Sequence, residues 1–267
     1  MLRHLALFAF AFAATWAVRD GWGEAGQPVT VGDAKPPVCE AGRVYRLSDR
    51  LLVGPRLLAR GDWDALANAG VTHTLSVDAL PSPPLAESLG LTRRHVPIGY
   101  DGPDRFESQQ LLAVLEECER TGGTLYVHCH HGRHRGPAAA ALLGVWSHQF
   151  DADAAREAMA AIGTDAKYVG LWELLERPRP SIPEIARDVP AESAVNPLAR
   201  AMAELDGAIA ASDAVLIDEA IREVERVRPL DWDAAAWDRT ASLLRSHADN
   251  ERIVQSCAAC HATMRDR

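Results

Sequence analysis

From Leu125 to Trp146 the chain passes through three characters without a break. Leu125-Tyr126-Val127 is a short apolar run of strand type. His128 to Arg135 reads HCHHGRHR, and Pro137 to Trp146 is almost wholly apolar, with proline where it favours the start of a helix. A strand that runs through a tight polar loop into a buried helix is half of a βαβ unit. It constrains the chain to a layered α/β fold in which that loop stands at the carboxyl end of a strand, where ligands bind.

The flanking sequence agrees. Arg43 to Leu47, Leu51 to Gly54, Val71 to Val77 and His95 to Ile98 read as strands; Asp62 to Ala69, Arg105 to Thr121, Asp151 to Ile162 and Tyr168 to Leu175 read as helices. Residues 43–177 therefore form an α/β layered domain with a mainly parallel central sheet. Residues 178–195 hold Pro178, Pro180, Pro183 and Pro190, the composition of a stiff linker. Beyond it the apolar period turns helical throughout, with faces formed by Leu198, Met202, Leu205 and Ile209, by Ile217, Ile221, Val224 and Val227, by Trp232, Trp237, Ala241 and Leu244, and by Ile253, Cys257, Cys260 and Met264. Residues 196–267 are expected to make a small all-α four-helix bundle.

Residues 1–25 carry the pattern of a signal peptide: Arg3, an apolar run from Leu5 to Val18, then small residues. The run is shorter than the roughly 20 residues that span a bilayer, so the chain is expected to be exported, and membrane-bound only if the leader is retained. Residues 26–42 read as a Gly/Pro-rich linker holding an incidental thiol, Cys39. The net charge of -9, with only Lys35 and Lys167 among 28 basic residues that are otherwise arginine, excludes a general nucleic-acid binder, because counterion release needs a basic face.

The loop offers defined chemistry. Cys129 follows a strand and precedes a helix N-terminus amid positive charge, conditions that favour a nucleophilic thiolate. Backbone N–H groups of His130, His131, Gly132, Arg133, His134 and Arg135 could form a nest for phosphate oxygens, with Gly132 supplying the turn. Arg135 offers a bidentate fork. His130, His131 and His134 could instead gather a metal, but neighbours in one tight loop rarely converge on an ion; solvent-facing rim histidines are the better reading. Cys118 shares a helical face with Leu111, Val114 and Leu115 and reads as a core thiol.

The stretch His128-Cys129, two residues, Gly132, two residues, Arg135 resembles the signature of the cysteine-dependent phosphatases of the protein-tyrosine and dual-specificity superfamily. The resemblance covers about Gly42 to Pro178. It implies an enzyme that hydrolyses a phosphomonoester of a phosphorylated substrate through a phosphocysteine intermediate without metal, with Cys129, Arg135 and His128 in the catalytic set. It also places a general acid on a loop before the cysteine, where Asp101 and Asp104 both stand. Asp104-Arg105-Phe106-Glu107 reads as a capping box, so Asp101 is preferred. One departure is Gly136, where the superfamily usually has Ser or Thr to help the cysteine leave.

Near the C-terminus, Cys257-Ala258-Ala259-Cys260-His261 has the pattern of covalent c-type haem attachment, with His261 as axial iron ligand. A surface zinc site or a disulfide is the rival use of these cysteines. The motif, set late in a helical bundle with Arg265 beyond it, resembles the cytochrome c-prime and c-556 family over about Asn196 to Arg267. That resemblance implies a haem iron whose sixth position is empty or filled by a methionine from the first helix; Met202 is the candidate, a packed core methionine is its bland alternative, and His247 is a minor rival. Pairing into a homodimer and a redox partner protein are implied in the same way. Haem attachment and the leader together point to the bacterial periplasm. The alternative to an exported phosphatase with a haem domain is a haem protein for electron transfer or gas sensing, whose phosphatase-like domain only binds an anionic partner.

Overall fold

The computed structural model describes residues 43–229, 234–246 and 255–256. The leader, the linker with Cys39, and Trp232, His247, Cys257, Cys260, His261 and Met264 lie outside the described residues.

Five strands form one sheet: β1 (Tyr45–Ser48), β2 (Leu51–Pro55), β3 (His73–Ser76), β4 (Thr92–His95) and β5 (Leu125–Cys129), in the order β1-β2-β5-β3-β4. Only β1 runs antiparallel to its neighbour; β2, β5, β3 and β4 are parallel. The registers Pro55↔Cys129 and Ser76↔His128 bring three carboxyl ends to one edge. The helices are α1 (Arg60–Asn68), α2 (Pro84–Ser88), α3 (Arg105–Arg120), α4 (Arg135–Trp146), α5 (Ala152–Ile162), α6 (Val169–Glu173), α7 (Pro197–Ala211), α8 (Ala214–Val227) and α9 (Ala234–Arg245).

Strand alternation sorts the two faces of the sheet. Leu51, Val53, Leu125 and Val127 meet α3, α4 and α5, while Leu52 and Tyr126 meet Trp63 and Leu66 of α1. Helix α4 is buried on nearly every side, as its uniformly apolar sequence requires. Cys118 lies in the core face of α3, and burial pushes its thiol up to about 12.

Two expectations shift. The fourth strand is Thr92–His95 rather than His95–Ile98, because Pro97 has no N–H for the ladder; Val96 and Ile98 only donate singly to the carbonyls of Ser76 and Val77. Residues 178–195 do not stand free. Ala186 and Val189 are buried, the Pro190 carbonyl accepts from the His95 N–H at 2.9 Å, and Arg179 and Arg187 both pair with Glu116 at 3.1 Å, so the proline-rich stretch is strapped along β4 and α3.

In the C-terminal unit, Asn196 and Asp213 cap α7 and α8 through backbone N–H groups two and three residues on. Ala201, Leu205, Ile217, Ile221, Val224, Trp237, Ala241 and Leu244 make its core. Met202 packs partly buried against that core. Three helices of the expected bundle are described; the fourth would fall outside the described residues, apart from Gln255 and Ser256, which are helical.

Candidate active site

The loop from Cys129 to Arg135 joins the end of β5 to the first turn of α4. Among the described residues, no protein acceptor takes the backbone N–H groups of His130 to His134. Those amides belong to a sharp turn at a helix N-terminus, which is the make-up of an anion nest. Gly132 has φ +67°, and a Cβ there would lie 2.3 Å from Gly54 C and Pro55 N. Both the left-handed backbone and the contact with β2 therefore require glycine. The His130 carbonyl accepts from the Arg56 N–H at 3.1 Å, which ties the loop to β2 a second time.

Arg135 is buried, with its guanidinium carbon 4.8 Å from the Tyr100 ring centre. Its Nη1 donates to the Ile98 carbonyl at 3.2 Å and its Nη2 to Asp78 Oδ1 at 2.9 Å. Its Nε is buried and has no hydrogen-bond partner among the described residues. Burial works against the charge on Arg135, but Glu223, Tyr100, Asp78 and Cys129 outweigh it and hold the guanidinium firmly protonated. Asp78 is wholly buried at the end of β3. Burial alone would raise its carboxyl, yet Arg135 and Arg226 prevail and hold it below the usual range.

His128 lies beneath the loop. Its Nε2 is 2.7 Å from Ser82 Oγ, which is 3.0 Å from Thr74 Oγ1, and burial drives the imidazole down to about 3. A buried neutral ring held in this way orients the strand end that carries Cys129. His130 and His131 are exposed at the rim with ring centres 4.3 Å apart, and Arg133 is exposed as well. His134 departs from the rim reading: it is half-buried, 4.7 Å from Tyr168 and 6.3 Å from Tyr100 between ring centres. Among the described residues no group of three or more His, Cys, Asp or Glu is placed to hold a metal ion.

The two candidate acids separate. Asp104 accepts from the Glu107 N–H at 2.7 Å while Glu107 accepts from the Asp104 N–H at 2.9 Å, a complete capping box on α3. Asp101 is exposed in the turn closed by the Gly99↔Gly102 bridge, and Gly170 of α6 packs so closely on its backbone that a Cβ would lie 2.6 Å from Asp101 Cα. At Gly136, a Cβ would stand 3.4 Å from Cys129 Sγ and 3.1 Å from Cys129 N. A hydroxyl at this position would face the sulfur, and the chain has none.

No family model matches the chain, and no curated protein does. Among solved structures it is similar to Pseudomonas aeruginosa TpbA, at 20% identity over 54% of this chain and 98% of that one, with a TM-score of 0.37. Human DUSP28 aligns at 26% identity over 53% and 95%, with a TM-score of 0.41, and PTPMT1 at 18% over 49% and 90%, with a TM-score of 0.40. These neighbours are cysteine-dependent phosphatases. At such low scores, what the site does is read from the residues of this chain.

Several residues of the site lie beyond sequence reasoning. Asp78 had a faint signal, an acid at the carboxyl end of a strand. Ser82 and Tyr100 had none. Nor did Glu219, Glu223 and Arg226, which read as the polar face of α8 and instead turn toward the loop: Tyr168 donates to Glu219, Glu223 Oε2 is 3.5 Å from Arg135 Nη2, and Arg226 Nη1 and Nη2 fork onto Asp78 at 3.1 and 2.8 Å.

Proposed function

We propose that the chain is an exported cysteine-dependent phosphatase of the tyrosine or dual-specificity kind, acting on a phosphomonoester, with a covalent c-type haem on its C-terminal unit. The observation that carries the first part is the nest itself: Cys129 at a strand end, five uncommitted loop amides, a glycine no other residue can replace, and Arg135 with a buried Nε awaiting an acceptor.

In this reading the Cys129 thiolate attacks phosphorus. The S–P bond forms as the ester P–O bond breaks, and Asp101 gives its proton to the leaving oxygen. The nest amides and Arg135 hold the equatorial oxygens as charge redistributes. Water then attacks the phosphocysteine, the Asp101 carboxylate takes its proton, the S–P bond breaks, and inorganic phosphate leaves the restored thiolate. Tyr100 and Tyr168, with ring centres 4.7 Å apart and planes tilted by 39° beside the loop, form an aromatic wall for the substrate's organic group.

The test is hydrolysis of an aryl phosphate by the full chain and by Cys129→Ser. We expect hydrolysis to vanish in the variant while vanadate still binds; equal rates would refute the reading. Asp101→Asn should slow hydrolysis by about a hundredfold or more, the usual worth of a positioned acid. A normal rate in that variant would remove Asp101 from the role.

The haem rests on the donor set Cys257, Cys260 and His261: the two thiols would hold the porphyrin covalently and the imidazole would hold the iron, with Met202 as a further candidate to hold it. Ser256, directly before Cys257 in sequence, has its Oγ 2.9 Å from Thr240 Oγ1 of α9. The iron would supply redox or gas-binding chemistry. Protein matured in a periplasm with haem-attachment machinery should show a Soret band that Cys257→Ser and Cys260→Ser together abolish, and Met202→Ala should alter the spectrum if Met202 is a ligand. Absence of the band in the wild type would remove the haem.

A further inference from the structure

We infer that α7 and α8 of the C-terminal unit are a lid that holds the phosphatase site shut, with the Glu223 carboxylate standing in on Arg135 for the anionic group of a substrate. The inference rests on the phosphatase reading above and goes beyond it to regulation of the site.

The Nε–Nη2 edge of an arginine is one of the two that can grip a pair of phosphate oxygens. In Arg135 the Nη1 is committed to the Ile98 carbonyl, so this is the edge left for substrate. Its Nε is buried without a partner, while its Nη2 is divided between Asp78, which positions it, and Glu223 Oε2 at 3.5 Å. A negative oxygen of the protein already lies where a phosphate oxygen would bind.

The contact belongs to a closed ring of alternating charge. Arg226 pairs with both Asp78 and Glu223, Asp78 with Arg135, and Arg135 with Glu223. Every member is buried or nearly so, side-chain exposure being 18% at Arg226, 8% at Glu223, 3% at Arg135 and zero at Asp78. Two of the four come from α8. Cys129, at 4% exposure, is closed off beneath.

Further carboxylates of the same unit face the site. Glu219 accepts from Tyr168, and Glu204 of α7 is paired with Arg200 and sits close to Gly99 at the base of the acid loop. Arg200 also pairs with Glu107 at 2.7 Å, which anchors α7 to α3. An entering phosphate dianion would meet the Glu223 carboxylate on Arg135. It can bind only when α8 swings away, carrying Glu223 and Arg226 with it, so apparent affinity is reduced by the fraction of molecules that are open.

The test uses the full chain. Alkylation of Cys129 by iodoacetamide, read peptide by peptide with buried Cys118 as internal control, is compared in wild type, Glu223→Gln and Arg200→Ala; the second variant loosens the lid through its anchor on Glu107. We expect Cys129 to react about tenfold faster or more in both, and KM for an aryl phosphate to fall by a similar factor in both. Unchanged alkylation in both variants, or a KM that rises in Glu223→Gln, would overturn the lid. Failure of the phosphatase reading would register separately, as hydrolysis that survives Cys129→Ser, because alkylation reports access to the thiol whatever the chemistry.

Discussion

Gly132 in the loop and Gly136 in the first turn of α4 stand four residues apart and constrain the site in opposite ways. Gly132 admits no side chain; Gly132→Ala should lower stability by about 1–3 kcal/mol, the usual cost of overpacking, read as a lower urea midpoint, and should abolish vanadate binding with it. A variant as stable as wild type would contradict the close approach to Gly54 and Pro55. Gly136 leaves space beside the sulfur, with a Cβ only 3.1 Å from Cys129 N. Gly136→Ser should therefore raise kcat severalfold by giving the departing thiolate a hydrogen bond, provided the loop yields by a few tenths of an ångström; an unchanged or lower kcat would show that the second chemical step is not limited by the missing hydroxyl. Cys129, Gly132 and Arg135 were legible because their spacing along the chain fixes their relation in a tight loop. Asp78 lies 57 residues from the Arg135 that it orients, and only the sheet brings them together.

The elements most readable in sequence carry their own stop and start signals. Helix α3 has its capping box and Gly122, and α5 has Asp151 and the left-handed Gly163. The box also decides a chemical question, since it occupies Asp104. Asp104→Ala should lower stability by about 1 kcal/mol, seen as a reduced melting temperature, yet leave Cys129-dependent hydrolysis intact. Loss of hydrolysis at full stability would return Asp104 to the acid's role. Strand β4 was misplaced because Thr-Arg-Arg-His carries no apolar alternation; Arg93 and His95 are buried through polar partners, and the more apolar Val96 to Ile98 drew the strand onto Pro97. Helix α2 was missed because five residues are too few for a periodic signal.

Over the whole molecule, composition leads one to expect two units, but it carries no sign of the contact between residues 43–177 and the helices that follow. Proline content marked residues 178–195 as a stiff connector, and nothing in it signalled that Val189 and Pro190 would bind back onto the first unit. Glu219, Glu223 and Arg226 follow the helical period of a solvated face, so sequence could not show which surface they meet. The burial of His128 and Asp78 ties stability to pH. His128 titrates near 3 when folded and ordinarily at 6.5, so between those values the unfolded chain binds the extra proton and stability falls as pH drops. The slope should approach about 1.4 kcal/mol per pH unit from this group alone. Asp78, held below its usual 3.8, loses its stabilising charge in the same direction at still lower pH. Urea midpoints should therefore fall from pH 7 to pH 5 in wild type and fall less steeply in His128→Gln. Equal slopes would place the effect elsewhere.

The central claim is that Cys129 takes the phosphoryl group, and with Gly136 beside it the covalent intermediate should persist. Full-length protein quenched during turnover of an aryl phosphate and digested for mass spectrometry answers directly. The account predicts the mass of one phosphoryl group on the peptide bearing Cys129, absent from Cys129→Ser. An unmodified Cys129 under sustained turnover, or the phosphoryl group on one of the loop histidines, would contradict it.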